Sequence, residues 1–200
     1  MKALQRDDLY SWSSFDAVRN IDFNAYAWIR PEGNVLIDPL EMSAHDQSHL
    51  ESLGGARTIV VTNSDHTRAA AALAASFGAE LIGPAQEKET FPLRCDRWAS
   101  DGQEILPKLR VFELEGSKTP GELCLLLEDR PNELVLFTGD LIRAHRAGAL
   151  TLLPNAKLSD REKALASVKR LLAHQNIHAV LVGDGWPIFE DGRRHLARLV

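Results

Sequence analysis

The chain has 200 residues, 44% hydrophobic and 26% charged, with a net charge of -5. That is an ordinary globular composition with enough apolar material for a sizeable core, and it lacks the basic footprint of a nucleic-acid binder. No apolar run has the length of a membrane span, and the first residues lack the apolar region of a signal peptide. Cys95 and Cys124 form neither a CxxC pair nor a zinc-ribbon spacing, so buried thiols in a reducing cytoplasm are expected.

In chain order, Leu9 to Phe15 and Phe23 to Arg30 read as aromatic-rich strands, and Pro31 to Asn34 as a turn. Val35 to Ile37 is a short apolar strand ending at Asp38-Pro39. Ser43 to Leu53 reads as a helix stopped by Gly54-Gly55. The β-branched run Thr58 to Val61 turns abruptly polar at Thr62-Asn63-Ser64-Asp65-His66, and an Ala-rich helix follows from Arg68 to Phe77. A strand that ends in a polar loop and feeds a helix is where α/β folds place ligands. Ala79 to Ile82 is a strand, and Ala85 to Thr90 a short helix.

The middle of the chain is β-rich. Leu109 to Glu113, Glu122 to Leu127 and Glu133 to Phe137 read as strands, with a hairpin-type turn at Asp101-Gly102. Leu141 to Pro154 reads as irregular. Ser159 and Glu162 have the spacing of a capping box, opening a helix to about Ala173. His178 to Val182 is a strand, and a last helix follows Asp191-Gly192. Trp186 is expected to pack under that helix, and Arg97-Trp98 at a strand edge. With no linker, repeat or low-complexity run, residues 1–200 read as a single domain.

Four strands end in an acidic residue: Asp38, Asp65, Asp140 and Asp184. Asp38, followed by proline, reads as a turn-former. The glycines around Asp140 and Asp184, and His66 beside Asp65, point to a site. Three carboxylates meeting at one place need a partner, either a metal ion or Lys118 with Arg143.

At these residues the chain resembles the metallo-β-lactamase superfamily, which includes β-lactamases, glyoxalase II and lactonases. Val35-Leu-Ile-Asp38 resembles the early strand and aspartate. Val60 to His66 resembles the HxHxDH loop, and Ser117-Lys-Thr-Pro-Gly121 the G-H-T-P-G loop. Leu136-Phe-Thr-Gly-Asp140 resembles the strand with the bridging aspartate, and Val182-Gly-Asp-Gly185 the late G-H-G loop. The resemblance implies a four-layer αββα sandwich of metallo-β-lactamase type, with the site where strand ends converge.

The departures fall on the ligands. The first two histidines of HxHxDH are Val61 and Asn63 here, and the third is Lys118. The resemblance therefore implies that the first metal site is lost. The second site retains Asp65, His66 and Asp140, with Asp184 in place of the late histidine. Those four would hold one divalent ion (zinc, manganese or iron) or none. His66 is either a ligand or a capping histidine. Asn63 is either an oxyanion donor or a turn residue. Lys118 is either an oxyanion donor, a base or a counter-ion, and Arg143 pairs with Asp140 or a substrate carboxylate. Asp65, Lys118 and Asn63 are the candidate catalytic residues.

Two readings result. One is a mononuclear hydrolase acting on a small ester, thioester or lactone. The other is a metal-free member that binds a small ligand or a protein, and a lysine amine within hydrogen-bond reach of Asp140 favours it. Neither reading calls for nucleic acid or a membrane as partner.

Overall fold

The computed structural model describes residues 1–200. β1 (Lys2–Ala3), β2 (Leu9–Asp16), β3 (Ile21–Trp28), β4 (Val35–Ile37), β5 (Thr58–Val60), β6 (Glu80–Pro84) and β7 (Arg97–Ala99) form a seven-stranded sheet in sequence order. Pairing is antiparallel from β1 to β4 and parallel from β4 to β7. The parallel strands need crossovers, and α1 (Ala44–Ser52) and α2 (Ala70–Phe77) supply two of them.

β8 (Glu104–Leu106), β9 (Leu109–Leu114), β10 (Glu122–Leu127) and β11 (Leu134–Thr138) belong to a second sheet. Its five-stranded order is β14-β11-β10-β9-β8, with β14 (Ile177–Val182) parallel to β11. β12 (Ile142–Arg146) and β13 (Ala149–Leu152) form a separate hairpin. α3 (Arg161–Leu171) and α4 (Gly192–Ala197) complete the chain.

The strand alternation builds the layers. Val35, Ile37 and Val60 of the first sheet meet Leu123, Leu125, Leu127, Val135 and Phe137 of the second in one shared core. Leu36 and Ile59 point the other way and pack with Leu50 of α1 and Leu73 of α2. Cys124, Leu126 and Val180 face Val168 and Leu171 of α3 and Leu196 of α4. Helices therefore cover both outer faces, and the architecture is the expected αββα sandwich. No helix is long and apolar enough to cross a membrane.

Because β4 and β5, and likewise β11 and β14, run parallel, their carboxyl ends emerge together at one edge. Hydrogen bonds tie the two sheets there. Asn24 N donates to Gly183 O at 2.8 Å, Leu123 N to Thr62 O at 2.8 Å, and the Tyr26 hydroxyl to Val182 O at 2.7 Å.

Several local expectations are corrected. Residues 141–154 hold the β12–β13 hairpin rather than irregular chain. Helix α3 is capped by Asp160, whose carboxylate accepts from Glu162 N and Lys163 N, while Ser159 N reaches back to Gly116 O. The helix expected at Ala85 to Thr90 is a single 3-10 turn, Ala85–Glu87. Trp186 is 58% exposed rather than buried as expected.

Candidate active site

Most of the site residues lie in the loops that follow strands, and Arg143 lies within one. Asp38 follows β4. Thr62 and Asn63 follow β5 and lead into the 3-10 turn Ser64–His66. Lys118 lies in the loop between β9 and β10, Asp140 follows β11, Arg143 is within β12, and Asp184 follows β14.

Asp38 is more than a turn-former. It sits at φ +47°, a left-handed conformation that costs a non-glycine residue energy. Its carboxylate accepts from Thr62 N at 2.7 Å, from Thr62 Oγ1 at 2.6 Å, and lies 2.7 Å from His66 Nδ1. That contact fixes the His66 ring and turns Nε2 toward the other carboxylates. Asp140 Oδ2 is 3.6 Å from Nε2 and Asp184 Oδ1 is 4.0 Å away. A carboxylate on the far nitrogen is the usual support for a metal-ligating histidine.

The backbone leaves room for this only because of two glycines. A Cβ at Gly183 would lie 2.7 Å from His66 Cε1, and one at Gly139 would lie 2.8 Å from Asn63 Nδ2.

Cations surround the carboxylates. Lys118 Nζ lies 2.5 Å from Asp65 Oδ2 and 3.0 Å from Asp140 Oδ2, as an ion pair with the latter rather than an aligned hydrogen bond. Arg143 Nη2 donates to Asp140 Oδ1 at 3.0 Å and also to Asp184. Arg68 Nη2 is 3.6 Å from Asp184 Oδ1.

Burial alone would strip the charges from this cluster, and the ion pairs reverse that. It works against a proton on His66, but the Asp38 charge and bonds to Asp140 and Asp38 raise the imidazole to about 9. It would raise Asp140, but His66 and Lys118 hold that carboxyl well below the usual range. Lys118 is likewise raised, because Asp65 and Asp140 outweigh its desolvation.

The structure thus gathers His66, Asp140 and Asp184, whose donor atoms lie within 4.8 Å of one another. One imidazole nitrogen and two carboxylate oxygens are a donor set suited to a zinc, manganese or iron ion. Asp140 Oδ2 and Asp184 Oδ1 are also buried without hydrogen-bond partners. The residues present therefore fit a single divalent ion.

Asp65 stands apart from that trio: its side chain is 54% exposed and faces Lys118. Asn63 is fully buried and caps the turn by accepting from Asp65 N, with its Nδ2 left unpaired. His145 and Arg146 are exposed, as a solvated segment should be.

Sequence reasoning missed Arg68, Glu122 and Glu87. Glu122 is fully buried, accepting from Ser117 Oγ and, at 2.8 Å, from Leu141 N, so it clamps the Lys118 loop to the Asp140 loop. Burial, and then the charge of Asp140, pushes it up to about 7. A lone acid opening the otherwise apolar run Glu122-Leu-Cys-Leu-Leu-Leu127 was its signal in the sequence. Glu87 accepts from Ser64 N at 3.0 Å and steadies the His66 turn.

A proton on His66 competes with a metal for Nε2. The raised folded value means the proton contributes stability fully below about pH 6.5, lost as the pH rises toward 9. Loading zinc near pH 7 should therefore release about one proton per ion, falling toward none above pH 9. Calorimetry in buffers of different ionisation enthalpy measures this, and zinc binding with no proton released at pH 7 would place the ion elsewhere.

The family model for the metallo-beta-lactamase superfamily matches residues 1–200, and the chain belongs to that superfamily. A comparison with curated proteins finds no match. A metallo-beta-lactamase from Pontibacter korlensis is 16% identical with a TM-score of 0.75, covering 100% of this chain and 96% of that one. One from Erythrobacter litoralis, with beta mercaptoethanol in its active site, is 16% identical with a TM-score of 0.77, covering 98% and 92%. A metallo-beta-lactamase family protein from Thermus thermophilus is 19% identical with a TM-score of 0.71, covering 98% and 79%. At such identities these neighbours speak to the fold alone.

Proposed function

We propose that this chain is a hydrolase of small esters, thioesters or lactones that holds one divalent ion at His66, Asp140 and Asp184. Lys118 takes the place of the ion of the lost first site. The observation that carries this reading is the convergence of two buried oxygens that accept no hydrogen bond, Asp140 Oδ2 and Asp184 Oδ1, on His66 Nε2. A bound divalent ion would lower the pKa of a water and polarise the acyl oxygen.

The chain's own groups supply the rest. Asp38 holds the His66 ring, and Arg143 orients Asp140 and Asp184 by donating to both. Lys118 opens on the cleft and offers its ammonium to the developing oxyanion. Asp65, at the rim beside Lys118, is available to take a proton from the attacking water. Of the two oxyanion donors expected from sequence, Asn63 contributes through the turn it caps.

Hydrolysis of a panel of p-nitrophenyl esters, acyl thioesters and lactones tests this. Turnover lost to a chelator and restored by zinc or manganese is expected. Turnover indifferent to chelation contradicts it.

A second reading, a metal-free binding member, is favoured by one observation. Lys118 Nζ lies 3.0 Å from Asp140 Oδ2, and Arg143 and Arg68 face the other acids, so the carboxylates already have cations. Binding without turnover, and no retained metal, would select it.

The role of Lys118 is checked by two variants. Lys118→Ala should lose about 1 kcal/mol at neutral pH, a small figure because the pair is partly exposed. The Asp140 carboxyl is depressed, so this contribution is present above its unfolded value and fades as the pH falls. Lys118→His should gain more melting temperature from zinc than the natural protein does, since imidazole is a ligand and ammonium is not. If neither variant departs from the natural protein, Lys118 has no such role.

A further inference from the structure

The chain is acidic overall, at -5, yet five cations line the cleft over this site: Arg19, Arg68, Lys118, Arg143 and Lys157. Only three carboxylates, Asp65, Asp140 and Asp184, line it with them. The cleft holds about 440 Å³, room for a small organic molecule.

The cations fall into two groups. Lys118 and Arg143 are engaged by the three acids. Arg68 is held less closely, its Nη2 standing 3.6 Å from Asp184 Oδ1. Its Nη1 donates to Asn24 O at 2.7 Å and to Asp38 O at 3.2 Å, while Nη2 is buried with no hydrogen-bond partner. A buried cationic donor left without a hydrogen bond is costly, and an incoming oxyanion would satisfy it. Arg68 also sits at φ +36°, a left-handed conformation that a non-glycine residue adopts at a cost.

Aromatic packing holds the guanidinium in position. The Phe23 ring lies 5.3 Å from Arg68 Cζ and 6.0 Å from Arg19 Cζ, so one ring carries both. Arg19 is 68% exposed and only loosely paired with Asp16, at 3.7 Å. Lys157, from the 3-10 turn Asn155–Lys157, adds a third charge on the same cleft.

We propose that the cleft takes a substrate bearing a carboxylate or phosphate group, held by Arg68 with Arg19 and Lys157. The planar arginine fork matches either oxyanion. The proposal rests on reading this cleft as the substrate pocket, and it moves substrate recognition from Arg143, which its acids occupy, to Arg68.

The test is binding, read by calorimetry on the protein as purified and again after passage over a chelating resin. The probes are succinate, inorganic phosphate and the neutral dimethyl succinate. Succinate or phosphate should bind, and which of them does so identifies the oxyanion. The neutral diester should bind more weakly by about ten- to a hundredfold, the worth of a charge-assisted hydrogen bond. Arg68→Gln should show a similar loss. Because Arg68 also braces the backbone, the exposed pair Arg19→Gln/Lys157→Gln provides a second reading and should weaken the anion by roughly twofold to thirtyfold.

The proposal is overturned if neither anion binds, if the diester binds as well, or if the exposed pair binds like the natural protein. Anion binding that survives metal removal, with no metal-dependent turnover, would sink the hydrolase reading and leave this one standing. Metal-dependent turnover without anion preference would do the reverse.

Discussion

Arg143→Ala is expected to destabilise the protein by about 3–5 kcal/mol, the cost of leaving buried charges without their partner. Arg143 is 7% exposed, and it alone hydrogen-bonds both Asp140 and Asp184, which are themselves nearly fully buried. Without it, Asp140 keeps Lys118 but Asp184 keeps only the longer contact to Arg68, and the hydrogen bonds that both buried carboxylates accept from Arg143 are lost. Part of the loss should return in Arg143→Ala/Asp140→Asn, where one of the charges is also gone. Divalent ions should protect the single variant more than the natural protein, because they supply the lost positive charge. Denaturation curves for Arg143→Ala that overlay the natural protein would show that the guanidinium is dispensable.

Leu36→Ala is expected to cost about 2–4 kcal/mol, from lost burial and the cavity left behind. Leu36 is fully buried in β4 and faces the layer of α1 and α2, while Val60 in β5 faces the opposite sheet. Val60→Ala should fall at the lower end of that range, since fewer atoms are removed. The two side chains lie on opposite faces of the first sheet, so each variant tests a different core. Unchanged melting for either would mean the strand packs differently from the sandwich described above.

How much of this was legible depended on whether a signal was local. Val35–Ile37, Thr58–Val60, Glu122–Leu127, Leu134–Thr138 and Ile177–Val182 are buried on both faces, so they read as apolar runs bounded by turn residues. Helix α1 was equally clear, with Ser43 as its cap. The β12–β13 hairpin was hidden because Arg143, His145 and Arg146 interrupt its apolar positions, and Arg143 is buried only by virtue of its ion pairs. β7 and β8 are three residues each and too short to show a period.

The same distinction holds at the site. Lys118 was placed by the resemblance of its loop to the G-H-T-P-G loop, and the structure brings it to both Asp65 and Asp140. Asp38 looked like a turn-former because proline follows it; its hold on His66 is a contact across 28 positions that local patterns do not encode. Arg68 looked like the first residue of a helix. Its left-handed backbone, and the Phe23 ring that stacks on it, become visible only once β3 lies beside the His66 turn.

If an ammonium has replaced one metal, as proposed, no dinuclear centre forms. The direct measurement is metal stoichiometry by elemental analysis, on protein purified without chelator and then equilibrated with zinc or manganese and freed of excess. No more than one equivalent per chain is expected, and it should be lost in His66→Ala and Asp184→Ala. Two equivalents per chain would contradict it.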